Sequence, residues 1–217
     1  MHVGKPSIRL TSLALAAALA LMAGSAYAGD VDKGKAKAVM CVACHGATGA
    51  GAHPEIPNLA GQNEAFMIAQ IKAFRRSDMG RAKPGESAVR YDPVMGHQAA
   101  ALTDADAADL AAYYSSRPCV APKPAKDELP SMLAKQCVAC HGSDGRSTTP
   151  TVPRLAGQQE VYLENQMRAF RDFHSKTQPA DDQRPRRLHP LMSQQTPVLN
   201  DQDIRELAQH FAGLSCR

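Results

Sequence analysis

Cys41-Val42-Ala43-Cys44-His45-Gly46 recurs without a mismatch as Cys137-Val138-Ala139-Cys140-His141-Gly142. In each copy two thiols stand three positions apart and an imidazole follows the second. Thiols at that spacing can add across the two vinyl groups of a haem while the adjacent imidazole reaches the iron as proximal ligand. Zinc is one rival, because the four thiols of two such pairs could make an all-cysteine tetrahedral site. A redox-active C-x-x-C is another, but it would want a βαβ context that is absent here. Neither rival explains a histidine at the same next position in both copies. The expectation is two covalently bound haem c groups, one on Cys41, Cys44 and His45, the other on Cys137, Cys140 and His141.

The sixth iron position needs a further ligand. Met95 lies 50 residues after His45 and Met192 lies 51 after His141, in the matching strings Asp92-Pro93-Val94-Met95 and His189-Pro190-Leu191-Met192. These two methionines are expected in loop segments just before the last helix of each half, as axial ligands of His45- and His141-bound iron. Met67 and Met167 sit on helical faces and read as core. His97 and His189 flank the two methionines without superposing in the repeat; they, with His53, His174 and His210, read as surface or hydrogen-bonding histidines. An iron-bound imidazole also needs an acceptor for its other nitrogen. Pro57 and Pro153, each 12 residues after its histidine, offer carbonyls on stiff loops in Ile56-Pro57-Asn58-Leu59-Ala60-Gly61-Gln62 and Val152-Pro153-Arg154-Leu155-Ala156-Gly157-Gln158.

The elements that must position these residues occur twice. At an offset of 96, 18 of 36 positions from Cys41 to Arg76 are identical, and a one-residue gap continues the match at 97 through Cys119 and Cys216. The chain is a tandem duplication. The expected organisation is a signal peptide over 1–28, a first domain over 29–119, a linker over 120–126 and a second domain over 127–217. The linker carries Pro122 and Pro124, so it favours an extended, fairly stiff conformation too short to let the halves wander apart. The fold class is all-α: two tandem domains, each a few helices around a covalently bound haem. Helices are expected over Asp30–Met40 and Glu128–Gln136, with Pro130 near the start of the latter. Others are expected over about Asn63–Arg76 and Gln159–Phe173, and after the N-caps Thr103 and Asn200. No stretch gives a convincing strand alternation.

The 217 residues hold only 5% aromatic side chains and no tryptophan, so two small cores want something else to fill them. Lys5 and Arg9, the apolar Leu10–Ala23 run and Ala26-Tyr27-Ala28 read as an export signal cleaved after Ala28. The remaining chain has a net charge of +2, too even for a nucleic-acid binder. It is expected to be soluble and exported, where disulfides persist.

Together these residues resemble two class I cytochrome c domains in tandem, most like the dihaem cytochrome c4 family. The resemblance rests on the paired CVACHG motifs, the PNLAGQ and PRLAGQ strings, the PVM and PLM segments and the L-x-D-x-D openings of the last helices. It implies one haem per domain, ligated by the motif histidine and the late methionine, with the domains packed haem edge to haem edge. It also implies a soluble or peripherally membrane-associated periplasmic carrier, not an enzyme. Such a carrier passes single electrons from a quinol-oxidising complex or dehydrogenase to a terminal acceptor such as a haem–copper oxidase. The alternatives are a dedicated cytochrome subunit of a larger complex and a small haem peroxidase; the latter needs an open iron position.

Cys119 and Cys216 are left after the haem thiols are assigned. An intrachain disulfide joining the two domain ends is one reading; free or intermolecular thiols are the other. Arg75, Arg76, Arg81, Lys83 and Arg90 in one half, and Arg184, Arg186 and Arg187 in the other, read either as a docking face or as solvated loops.

Overall fold

In a computed structural model of the chain, the described residues are Met1, 28–77, 89–119, 132–174 and 186–216. Most of the leader, the proline linker, Glu128, Pro130, Arg81, Lys83 and Arg184 lie outside them.

The first half begins where Asp30 accepts hydrogen bonds from the Asp32 and Lys33 N–H groups and caps α1 (Val31–Ala38). A single 3-10 turn over Val39–Cys41 leads into α2 (Val42–His45), which stops at Gly46. Then come α3 (Glu64–Ser77), β1 (Val89–Tyr91), α4 (Pro93–Ala100) and α5 (Asp104–Ser115). The second half repeats the order with α6 (Met132–His141), α7 (Glu160–Arg171), β2 (Arg186–Leu188), α8 (Met192–Gln195) and α9 (Asp201–Gly213). Thr103 and Asn200 cap α5 and α9 with full capping boxes to Asp106 and Asp203. Among the described residues no helix is long and apolar enough to cross a membrane.

Each half packs its last helix against the earlier ones. On α9, Ile204, Leu207, Ala208 and Phe211 recur at helical spacing and meet Leu163 of α7. Ile204 and Leu207 are fully buried, contributing roughly 1.5–3 kcal/mol each. In the first half Leu110, Ala111, Tyr113 and Tyr114 of α5 meet Ala38 and Met67. Helix α1 crosses α5 at Gly34, where a β-carbon would lie 2.0 Å from the Asp109 carbonyl oxygen; only glycine permits that approach. Cys41 and Cys137 lie against these cores, while Cys44 and Cys140 face outward.

The chain is mostly helical, with one exception to the sequence reading. β1 and β2 pair antiparallel, Arg90 directly opposite Arg187. Three-residue strands are too short to show an alternating pattern, and each finds its partner in the other half of the chain.

Candidate haem sites and the interface between them

Each motif histidine closes a helix and points inward, 6% exposed in both copies. The Nδ1–H of His45 donates to the Pro57 carbonyl at 3.0 Å, and that of His141 to the Pro153 carbonyl at 3.0 Å. A carbonyl can only accept, so the proton sits on Nδ1 and Nε2 keeps the lone pair that binds iron. Burial pushes both imidazoles down from their ordinary value, against the pull of the proline carbonyls; Arg90 adds to the lowering at His45 and Arg187 at His141. Both rings are thus held neutral, the form a metal takes. Burial also pushes the Cys41 and Cys137 thiols up. All four motif thiols are unbridged. Among the described residues no three His, Cys, Asp or Glu side chains converge as a metal cluster would need.

Met95 and Met192 stand in helical first turns rather than in loops. Asp92 accepts from the Val94 and Met95 N–H groups at 3.0 and 2.8 Å, with Pro93 at the first position of α4. In the second half His189 takes the same place: its Nδ1 accepts long bonds from Leu191 and Met192 at 3.3 and 3.4 Å. His189 thus braces the turn that leads into α8, one of the hydrogen-bonding histidines. His53 and His97 are exposed. His210 is partly buried against Phe211 with neither ring nitrogen hydrogen-bonded, and the His174 side chain lies outside the description.

The halves meet through a pseudo-twofold network. Gln158 Oε1 accepts from the Asn58 N–H at 2.7 Å and its Nε2 donates to the Asn58 carbonyl at 2.9 Å. Gln62 does the same to the backbone of Arg154, at 2.8 and 2.9 Å. The Phe66 N–H donates to Pro150 O, and the equivalent Tyr162 N–H donates to Pro54 O, both at 3.1 Å. The AGQ strings build this seam because Gly61 and Gly157, at φ 71° and 70°, turn the chain so that the following glutamine faces across. Beside it Cys119 and Cys216 are joined in a disulfide with Cα atoms 6.0 Å apart.

Two of the arginines read either as a docking face or as solvated loops belong to this seam instead. Arg90 is 7% exposed and Arg187 is partly buried. Arg75 is ion-paired to Asp104, Arg186 stacks on Tyr91, and Arg76 alone of the described set is exposed. The sequence carried a sign of this: Arg90 and Arg187 are identical at the repeat offset, as surface charges need not be.

The sequence pattern of the Cytochrome c family matches residues 31–117 and 131–215. Cytochrome c4 of Azotobacter vinelandii is 32% identical over 86% of this chain and 90% of its own. The chain belongs to the dihaem cytochrome c4 family. The crystal structure of reduced cytochrome c4 from Pseudomonas stutzeri superposes with a TM-score of 0.69 at 28% identity, over 86% of this chain and all of that one. A protein of Stutzerimonas stutzeri named thiosulfate dehydrogenase electron acceptor is 30% identical over 82% of this chain and 80% of its own. As a cytochrome c4-type protein the chain is an electron carrier with two haem c sites, at Cys41, Cys44 and His45 and at Cys137, Cys140 and His141, each with a methionine ligand. The outward Cys44 and Cys140, the core-side Cys41 and Cys137 and the neutral, carbonyl-fixed imidazoles fit that group.

Proposed function

We propose that this cytochrome c4 is exported to the periplasm, with cleavage after Ala28. There it carries single electrons from a respiratory or dehydrogenase partner to a terminal acceptor such as a haem–copper oxidase, with Met95 and Met192 as the sixth ligands. When bound, haem iron supplies a one-electron couple and the thioether raises its potential relative to bis-histidine ligation. The protein does the positioning. His45 and His141 present Nε2 from fixed rings, the cysteines anchor the group, and Asp92 and His189 hold the turns that carry the methionines. The observation that carries the reading is the reciprocal seam, which locks two equivalent sites into one body. Electrons can then enter at one half and leave at the other.

The thiosulfate dehydrogenase electron acceptor among its relatives supports a second reading, in which the donor is a dehydrogenase of that kind. A redox titration followed by optical spectra tests the first. The expectation is two one-electron waves at positive potentials with the reduced spectrum of methionine-ligated haem c; protein matured by an export host yet lacking haem would overturn it. Survival of a stable complex with a dehydrogenase through size-exclusion chromatography would replace the free carrier with a dedicated subunit.

A further inference from the structure

The two halves differ by one buried oxygen beside the haem-binding cysteines. Tyr114 of α5 and Phe211 of α9 stand at the same place in the repeat, and each is 3% exposed. Their backbones are held alike: the Tyr114 carbonyl accepts from the Gly61 N–H at 2.9 Å, and the Phe211 carbonyl from the Gly157 N–H at 3.2 Å. Each ring belongs to the core on which the first motif cysteine of its half packs, Cys41 with Tyr114 and Cys137 with Phe211. At equal burial phenylalanine is the less costly residue, because the ring alone supplies the apolar contact while a hydroxyl must also be desolvated. Nothing among the described residues offsets that cost: the Tyr114 hydroxyl is buried with no hydrogen-bond partner. The ring is held in place by Tyr113, edge-on with centroids 5.0 Å apart, and by Gly49, where a β-carbon would lie 3.1 Å from its Cδ1. The group the hydroxyl acts on is the Cys41 sulfur. Burial pushes that thiol up and the hydroxyl pulls it back, so the two lie within reach of one another, short of the geometry of a full hydrogen bond.

We propose that Tyr114 sets the potential of the first site: its hydroxyl donates to the Cys41 sulfur once that sulfur anchors haem c, and the bond raises the potential of that haem alone. When a thiol adds across a vinyl group, a carbon–sulfur bond replaces S–H and the hydrogen goes to the neighbouring carbon. The thioether sulfur then has no proton to give and can only accept, so the hydroxyl is the donor. The positive end of the O–H dipole faces the haem edge. It opposes the positive charge that oxidation adds at the iron and so favours the reduced state, and the low dielectric of the core strengthens the effect. Phe211 carries no oxygen, and the second site lacks the bond. Two identical motifs are thereby made unequal by a side chain that lies outside both.

The proposal rests on the dihaem carrier reading. Its test is a redox titration of holoprotein, with the two waves assigned to their halves by the Met95→Ala variant. Tyr114→Phe removes one oxygen and keeps the ring. The expected result is a fall of about threefold in the reduced-to-oxidised ratio of the first haem at fixed potential, about 28 mV for a one-electron couple. The second wave stays where it was, and the methionine-ligated ferric band is kept. The reciprocal Phe211→Tyr raises the second wave by a similar factor and leaves the first. A purely structural role would move the unfolding midpoint without moving one wave. An unmoved first wave in Tyr114→Phe, or an equal fall of both waves, overturns the proposal and leaves the carrier reading intact; a parent protein without two one-electron waves at positive potentials overturns the carrier reading itself. Should Tyr114→Phe fail to mature, Phe211→Tyr decides, since a second wave that stays or falls overturns the proposal.

Discussion

Gln158 closes a two-bond ring with the backbone of Asn58, 100 residues away, its Oε1 accepting at 2.7 Å and its Nε2 donating at 2.9 Å. Gln62 closes the mirror ring with Arg154. Side-chain amides that mimic a strand's pairing leave little rotational freedom between the halves. Replacement Gln158→Ala strands a backbone N–H and a carbonyl in the seam, at a cost of about 1–3 kcal/mol. Denaturant unfolding followed at each haem should show the loss, with the two halves beginning to unfold separately; a single unchanged transition would count against the seam as the coupling element.

The Cys119–Cys216 bridge spans a sequence separation of 97. Unreduced, denatured holoprotein should offer no alkylatable cysteine, and two after reduction. Replacing both residues with serine should cost up to about 4–5 kcal/mol in the chain-entropy account. Combined with Gln158→Ala the loss should exceed the sum of the single effects, because both devices hold the same seam.

Met95→Ala and Met192→Ala address the sixth ligand half by half. Each should lower the potential of one haem by far more than that of the other. Each should also halve the methionine-ligated ferric band and admit an added ligand such as imidazole at the opened iron. A variant that keeps the full band would reassign the ligand.

Asp106 joins two functions at the start of α5: it accepts from Lys37, and it accepts from the Thr103 N–H at 2.9 Å to complete the capping box. The Lys37 bond, followed by those from Thr103, holds its carboxyl down to about 2, below the ordinary 3.8. A depressed carboxyl stabilises the fold fully above its unfolded value and loses that contribution as pH falls through its folded one. The stability gap between the parent and Asp106→Ala, about 1 kcal/mol for the lost hydrogen bonds, should therefore be constant above about pH 5 and shrink between about pH 4 and 2. Thermal unfolding across that range measures it; a gap that does not change with pH would assign the loss to packing.

The chemistry was legible in the sequence because it is local. Two thiols and an imidazole within one helical turn have one orientation relative to each other wherever the helix goes, so Cys41, Cys44 and His45 declare their ligand without the fold. Thr103 and Asn200 announce their helices for the same reason, since a cap acts on N–H groups two and three residues on. Duplication made the rest of each domain readable, because whatever one copy does the other repeats at a fixed offset.

The turns that hold the methionines were less legible, since Asp92 and His189 look unrelated until both are seen accepting from the same two N–H groups. The relation between the halves was not written in either copy. Arg90 and Arg187 look like surface charges in sequence, and β1 and β2 are too short to carry a pattern. Gln62 and Gln158 find their partners only across a pseudo-twofold seam. Those contacts join residues about 100 positions apart, and their register depends on how two whole domains pack. The sequence by itself determined what each half binds, and the tertiary structure alone decided that the two sites share one seam, one bridge and one pair of opposed arginines.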